Sequence, residues 1–347
     1  MRKQLFLFFI LVGLVLFFLS WTTSLVEAEP SGKVSIFTTI PQKIIDTIKD
    51  DFIKKYPGIE LEITRKGATG IQSYVELELG SPKGLTADLI WTSDPIYLID
   101  LKRRNILYQY TTPEKDNLAF GNDAHNYYYG ARLMTVIIAF SSDRVYGEDV
   151  PTSWEDLLKP RFSGKIAIAD PLTSGTSFDA VAALKDKFGW EYFEELFENG
   201  VTVMKNNSKV NDAVLNGVVD VGITLDYMAR ERHASGEPIQ LVYPKDGLVV
   251  VPSPIAITYS SNNKAGAKAF MDYILSANGQ EQMVNLGNFL PVRSDIFPPE
   301  NAPRMQQLVE QQIPIRWDDL ATDIIRVKGR YFDIMKQYNY YAEPEDY

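Results

Sequence analysis

Cysteine is absent from this 347-residue chain, and histidine occurs only twice, at His125 and His233. Without cysteine there is no disulfide, no thiolate nucleophile, no cysteine-based metal or haem site and no lipid-modified cysteine at a processing point. The two histidines stand too far apart in sequence to suggest a local zinc motif. Neither a Gly-x-Ser-x-Gly elbow nor a His-Glu-x-x-His pair occurs, so nothing specific points to catalysis. Positive charge is in deficit too: 35 Lys and Arg against 45 Asp and Glu give a formal net charge of −10. Nucleic acid and anionic membrane surfaces would repel such a chain, which argues against both as partners.

Long apolar runs are also missing, except at the very start. Arg2 and Lys3 precede a fifteen-residue run, Leu5–Leu19, broken only by Gly13, and Val26-Glu27-Ala28 follows. This is the layout of an export signal, with cleavage expected after Ala28. The run is short of the ~20 residues a permanent membrane helix needs; an uncleaved N-terminal anchor is the alternative. Loss of residues 1–28 would leave 319 and, by removing Arg2, Lys3 and Glu27, take the net charge to −11. Those 319 residues suffice for two compact lobes, soluble outside the cytoplasm. A hydrophobic content of 45% is ample for their cores.

Strand and helix patterns then alternate along the chain. Val34–Thr39 reads as a strand, and Ile44, Ile45, Ile48, Phe52 and Ile53 follow at helical spacing after Pro41. Pro57-Gly58 ends that helix, and Ile59–Ile63 is the next strand. Ala87–Trp91, Leu133–Phe140, Lys165–Ala169 and Asp220–Thr224 are further strands, and Val249–Thr258 is an extended run interrupted by Pro252 and Pro254. Thr152 and Glu155 have capping-box spacing before Trp154-Leu157-Leu158. Residues 317–338 are helical in pattern, and Tyr340–Tyr347 is a polar tail expected to have little order. Such alternation predicts an α/β fold of two lobes, with crossovers near 137–141 and 251–257.

Three strand-to-helix junctions are rich in hydroxyls: Thr38-Thr39, Thr92-Ser93 and Thr173-Ser174-Gly175-Thr176-Ser177. A helix start offers unpaired N–H groups and the positive end of the helix dipole, so it can hold an anion. The same residues also serve as ordinary caps, but three such loops in one α/β protein suit a switch-point ligand. Asp226-Tyr227, at another strand end, is a candidate for a ligand's amine or hydroxyl, or else a cap with a core ring. Thr69, in the Lys66–Gly70 loop, is placed to close over a ligand, or that loop is a simple turn. Tyr127-Tyr128-Tyr129 beside His125 invites a ferric-iron reading, but adjacent strand residues point to opposite faces. We read the three tyrosines as structural.

Several sequence blocks, in this order, resemble periplasmic solute-binding proteins of ABC importers, in the branch that includes ferric-iron, phosphonate and sugar-phosphate binders. They are Ile36–Pro41, Ala87–Trp91, Pro151–Leu158 continuing through Phe162–Ala167 to Asp170-Pro171 and Ser174–Thr176, then Tyr243–Gly247, Pro252–Ile257 and Ser276–Glu281. The resemblance implies a type II fold, each lobe a mixed sheet flanked by helices, with two hinge strands. Lobe 1 is expected at 29–136 and 257–307, and lobe 2 at 137–256 and 308–347. It further implies a monomer without cofactor or catalysis, capturing a small anionic ligand and docking on an inner-membrane ABC permease.

Ferric-binding members of the family hold the metal with two adjacent tyrosines in the stretch that is Leu225–Met228 here, where only Tyr227 is present. The expected ligand is therefore a phosphonate or phosphorylated metabolite. Thr38, Thr39, Ser93, Thr173, Ser174, Gly175 and Thr176 would hold the phosphorus head, Asp226 and Tyr227 the other end, and Thr69 would close the site. The alternatives are a ferric-iron or metal-chelate binder, a lobe pair that signals to a receptor and, more remotely, a periplasmic phosphatase.

Overall fold

The computed structural model describes residues 29–338; the stretch expected to be an export signal and the tyrosine-rich tail lie outside them. The first half opens as β1 (Gly32–Thr38), α1 (Gln42–Lys55), β2 (Ile59–Arg65), α2 (Ala68–Leu79), β3 (Leu89–Trp91), α3 (Pro95–Arg103) and the long β4 (Tyr129–Ser141). It continues with β5 (Ile166–Ala169), α4 (Gly175–Phe188), α5 (Glu191–Glu198), β6 (Thr202–Met204), α6 (Asn207–Leu215), β7 (Val221–Leu225) and α7 (Asp226–Ala234). Then come β8 (Ile239–Val242), β9 (Val249–Ile257), α8 (Lys264–Leu275), α9 (Ala277–Gly287), α10 (Met305–Gln311) and α11 (Trp317–Gln337).

These strands form one path, β2-β1-β3-β9-β4-β7-β5-β6, with β8 beside the end of β4. The β2-β1-β3 and β7-β5-β6 sets are parallel, which strand–helix–strand units require. Between them β9 and β4 pair antiparallel to each other and to their outer neighbours. Tyr129–Val136 of β4 faces Ile255–Val249 of β9, and Val136–Phe140 goes on to pair with β7. Every residue of β4 and β9 is buried. Four buried apolar clusters flank the path, two of them large. One gathers Ile45, Ile48 and Phe52 of α1 with Phe270 and Ile274 of α8; the other gathers Trp154, Phe178, Phe193 and Tyr331.

Two local readings change. The 152–158 cap is made by Ser153 and Asp156: the Ser153 hydroxyl accepts from Asp156 N–H at 3.1 Å, and the Asp156 carboxylate accepts from Ser153 N–H at 3.1 Å and Thr152 N–H at 2.7 Å. Asp reaches back one turn where Glu155 points away, and only a 3-10 turn follows, Glu155–Leu158. The prolines do not interrupt β9. Pro254 opposes Thr92 and accepts its N–H at 3.1 Å, and the return bond a proline cannot make comes from the Ser253 hydroxyl, which donates to Thr92 O at 2.9 Å.

Ser253→Ala should therefore strand the buried Thr92 carbonyl and cost about 1–3 kcal/mol. Urea unfolding should show a lower midpoint with an unchanged slope.

Candidate functional site

The helices α2, α3, α4, α6 and α7 all start at strand ends that converge on one cleft of about 390 Å³ between the two parallel sets. Thr39, Thr69, Ser93, Thr173, Ser174, Gly175, Thr176 and Tyr227 line it, as the sequence suggested. The cap at β3 explains why Ser93 is available. Asp94 takes the capping role, accepting from Tyr97 N–H at 3.1 Å, and Pro95 occupies the first helical turn. The two sides of the cleft already touch, for the Thr69 hydroxyl donates to Thr173 O at 3.1 Å.

The start of α4 is wired to donate. Ser174 caps the helix, its Oγ accepting from Ser177 N–H at 3.4 Å and from Asn207 Nδ2 at 3.4 Å. Thr176 Oγ1 also accepts from Asn207 Nδ2, at 3.1 Å. Ser174 Oγ and Thr176 Oγ1 also stand 3.5 Å apart, so one hydroxyl donates to the other and one hydroxyl hydrogen is left for an acceptor in the cleft. Ser177 is spent elsewhere, donating to Ala169 O and pinning the loop to β5.

Two expected residues lie behind the cleft instead. Thr38 is fully buried, and its Oγ1 accepts from Ile40 N–H at 3.1 Å. Asp226 is fully buried as well. Its Oδ1 accepts from Tyr227 N–H at 2.7 Å and Thr135 N–H at 3.1 Å, and its Oδ2 from Arg230 Nη2 at 3.1 Å and Tyr243 O–H at 3.3 Å. Arg230, one helical turn on, ties the carboxylate into the fold and away from any ligand.

The sequence reading passed over Arg132, which also lines the cleft. It is 1% exposed, and its Nε and Nη1 have no hydrogen-bond partner among the described residues. Its guanidinium lies 4.0 Å from the Phe289 ring centre and 5.5 Å from that of Tyr227. A bulge places it there. Gly130 opposes Pro254 and Arg132 opposes Ser253, so Ala131 is an extra residue, and its carbonyl is satisfied by Gln280 Nε2 at 2.8 Å. At Gly130 any side chain would meet Phe120 O at 2.6 Å, so glycine is needed beside the bulge. Burial lowers the Arg132 pKa, opposed by Tyr227 and Asp226 and aided by Arg65. Burial likewise raises the Tyr227 phenol, with Arg132 opposing. Both act in their protonated forms at neutral pH. The Thr39 hydroxyl is a second buried group at the cleft without a partner.

Arg65, Lys205, Asn206, Asn207 and Ser208 complete the polar lining, and no carboxylate lines the cleft among the described residues. The three tyrosines have structural surroundings: Tyr127 and Tyr128 pack on one core, Tyr129 in another, with its hydroxyl donating to Tyr110 O at 2.9 Å. Among the described residues no helix is long and apolar enough to cross a membrane.

This geometry is a two-sided binding cleft in a type II periplasmic-binding-protein fold. The profile of bacterial extracellular solute-binding proteins matches residues 86–323, and the chain belongs to that family. It is 25% identical over 288 residues to an uncharacterized protein of Haemophilus influenzae, covering 77% of this chain and 79% of that one. It is 22% identical over 297 residues to a putative 2-aminoethylphosphonate-binding periplasmic protein of Salmonella typhimurium, covering 80% and 83%. Among solved structures it is similar to AfuA of Actinobacillus pleuropneumoniae with fructose-6-phosphate bound, at TM-score 0.75, 21% identity and coverage of 88% and 99%. Iron-bound HitA of Pseudomonas aeruginosa gives TM-score 0.74 at 22% identity, covering 86% and 99%.

Two outcomes are expected of variants. Asp226→Ala leaves Arg230 buried without its carboxylate and should cost about 3–5 kcal/mol, seen as a fall in Tm without ligand present. Burial, with Asp94 adding to it, raises the Asp179 carboxyl in α4 well above the ordinary aspartate range. An acid whose folded pKa is raised costs stability as pH climbs above its unfolded value. Asp179→Asn should therefore raise Tm at pH 7.5, and the gain should vanish by about pH 3.5.

Proposed function

We propose that this protein is exported, captures a small anionic solute carrying a phosphonate or phosphate group, and delivers it to an ABC-type permease. The observation that carries this reading is Arg132: a buried guanidinium with two unpartnered nitrogens at the cleft costs free energy until an anion meets it. The start of α4 adds N–H groups and a free hydroxyl hydrogen, and Thr39 and Ser93 supply more donors. Relatives named for aminoethylphosphonate and a neighbour holding fructose-6-phosphate support the same chemistry. Tyr227 supplies one phenol and no carboxylate joins it, a poor donor set for bare ferric iron.

We take the lobes as 29–136 with 257–307 and 137–256 with 308–347. They would hinge through the paired β4 and β9, with the Thr69–Thr173 bond among the contacts that close them. Ligand favours the closed arrangement because both sides donate to it, and the permease reads that arrangement.

The test is thermal shift on protein unfolded and refolded to strip ligand. A phosphate ester or phosphonate at 100 times its Kd should add about 2.7 kcal/mol, a rise of about 2–8 °C. Thr176→Leu and Arg132→Gln should lose this rise while remaining folded. Stabilisation by ferric salt alone, with a coloured complex, would overturn the reading.

A further inference from the structure

Three cations line the cleft, Arg65, Arg132 and Lys205, and none has a carboxylate partner among the described residues. That is a local excess of three positive charges in a chain of formal charge −10. Two carboxylates behind the cleft are engaged elsewhere: Asp226 with Arg230, and Asp94 through Oδ1 with the α3 cap. A ligand carrying an ammonium group would bring a fourth cation into the cleft with nothing to pair it.

The cations also stand in two places. Lys205 precedes α6, and its carbonyl accepts from the Thr173 hydroxyl at 3.4 Å, which sets it beside the α4 start with Ser174 and Thr176. Arg132 lies on β4, close enough to Arg65 for the second charge to act on the first. In the sheet order β6, which precedes Lys205, and β2, which ends at Arg65, stand on opposite sides of β4, so these cations reach the cleft from two sides. One oxoanion is too small to meet both groups fully, and the cleft, at about 390 Å³, has room for more than one.

Resting on the anion-binding reading above, we infer that the physiological ligand is a two-headed anion without an ammonium group. One head, a phosphate or phosphonate, sits on the α4 start and Lys205; the second, a carboxylate or another phosphate, sits on Arg132 and Arg65. The chain would thus reject aminoalkylphosphonates of the kind for which its Salmonella relative is named.

Three probes of one length decide this: 3-phosphonopropionate, propylphosphonate and 2-aminoethylphosphonate, which share a phosphonate and end in carboxylate, methyl or ammonium. Isothermal titration of the stripped protein should rank them in that order, each step at least about tenfold. Lys205→Gln, at an exposed position, should weaken all binding without changing Tm, and Arg65→Gln should erase most of the carboxylate's advantage over methyl. Equal or tighter binding of the ammonium or methyl compound would overturn the inference and leave the anion-binding reading standing. If none of the three binds, and inorganic phosphate and hexose phosphates do not either, both fall together.

Discussion

The antiparallel pairing of β4 with β9 is the constraint from which the rest follows. Two parallel sets of strands, each built from strand–helix–strand units, can share a ligand only if something holds their carboxyl-terminal ends towards one another. The β4–β9 pair does so, and both strands are buried throughout. Such a pair should carry no loose polar groups, yet it contains two prolines and an arginine. Ser253 supplies the bond that Pro254 cannot make, and Gln280 satisfies the carbonyl of the extra residue Ala131. Arg132 is left with two unpartnered nitrogens, and it opens on the cleft.

That imbalance separates binding from scaffolding. Asp226 and Arg230 are as deeply placed, but they pair with each other and hold α7 on β4 and on Tyr243, leaving only Nε of Arg230 unpartnered. Arg132 has ring faces, the Tyr227 phenol and an acidic neighbour at a distance, and two of its nitrogens stay unpartnered. In a buried setting a hydrogen-bonded ion pair costs little, whereas a lone charge is costly until a ligand arrives. Free energy withheld in this way is what a closing cleft draws on when ligand ties its two sides together.

Much of this was legible in the residues. Pro and Ser/Thr punctuation located the strand-to-helix junctions, and eight of the ten candidate ligand residues do line the cleft. Thr38 and Asp226 do not, for reasons visible only in part. Thr38 is the last residue of β1 and faces inward, so Thr39 alone reaches the cleft. Asp226 had Arg230 four residues on, the spacing of an ion pair on a helix, and that signal favoured scaffold over ligand. Arg132 was missed because the strand pattern seemed to begin at Leu133. It begins at Tyr129, and an arginine inside so apolar a strand was the available clue. Asn207 and Lys205 depend on β6 meeting β5, a pairing no local pattern reports.

The central claim is that the cleft holds a phosphorus-bearing anion on Arg132 and the α4 start. The most direct measurement is native mass spectrometry of the protein as purified from an exporting host, with phosphorus and iron quantified on the same sample. The expected result is an adduct containing phosphorus, approaching one per chain, that is absent from Arg132→Gln. Iron at one per chain with no phosphorus, retained in Arg132→Gln, would contradict it.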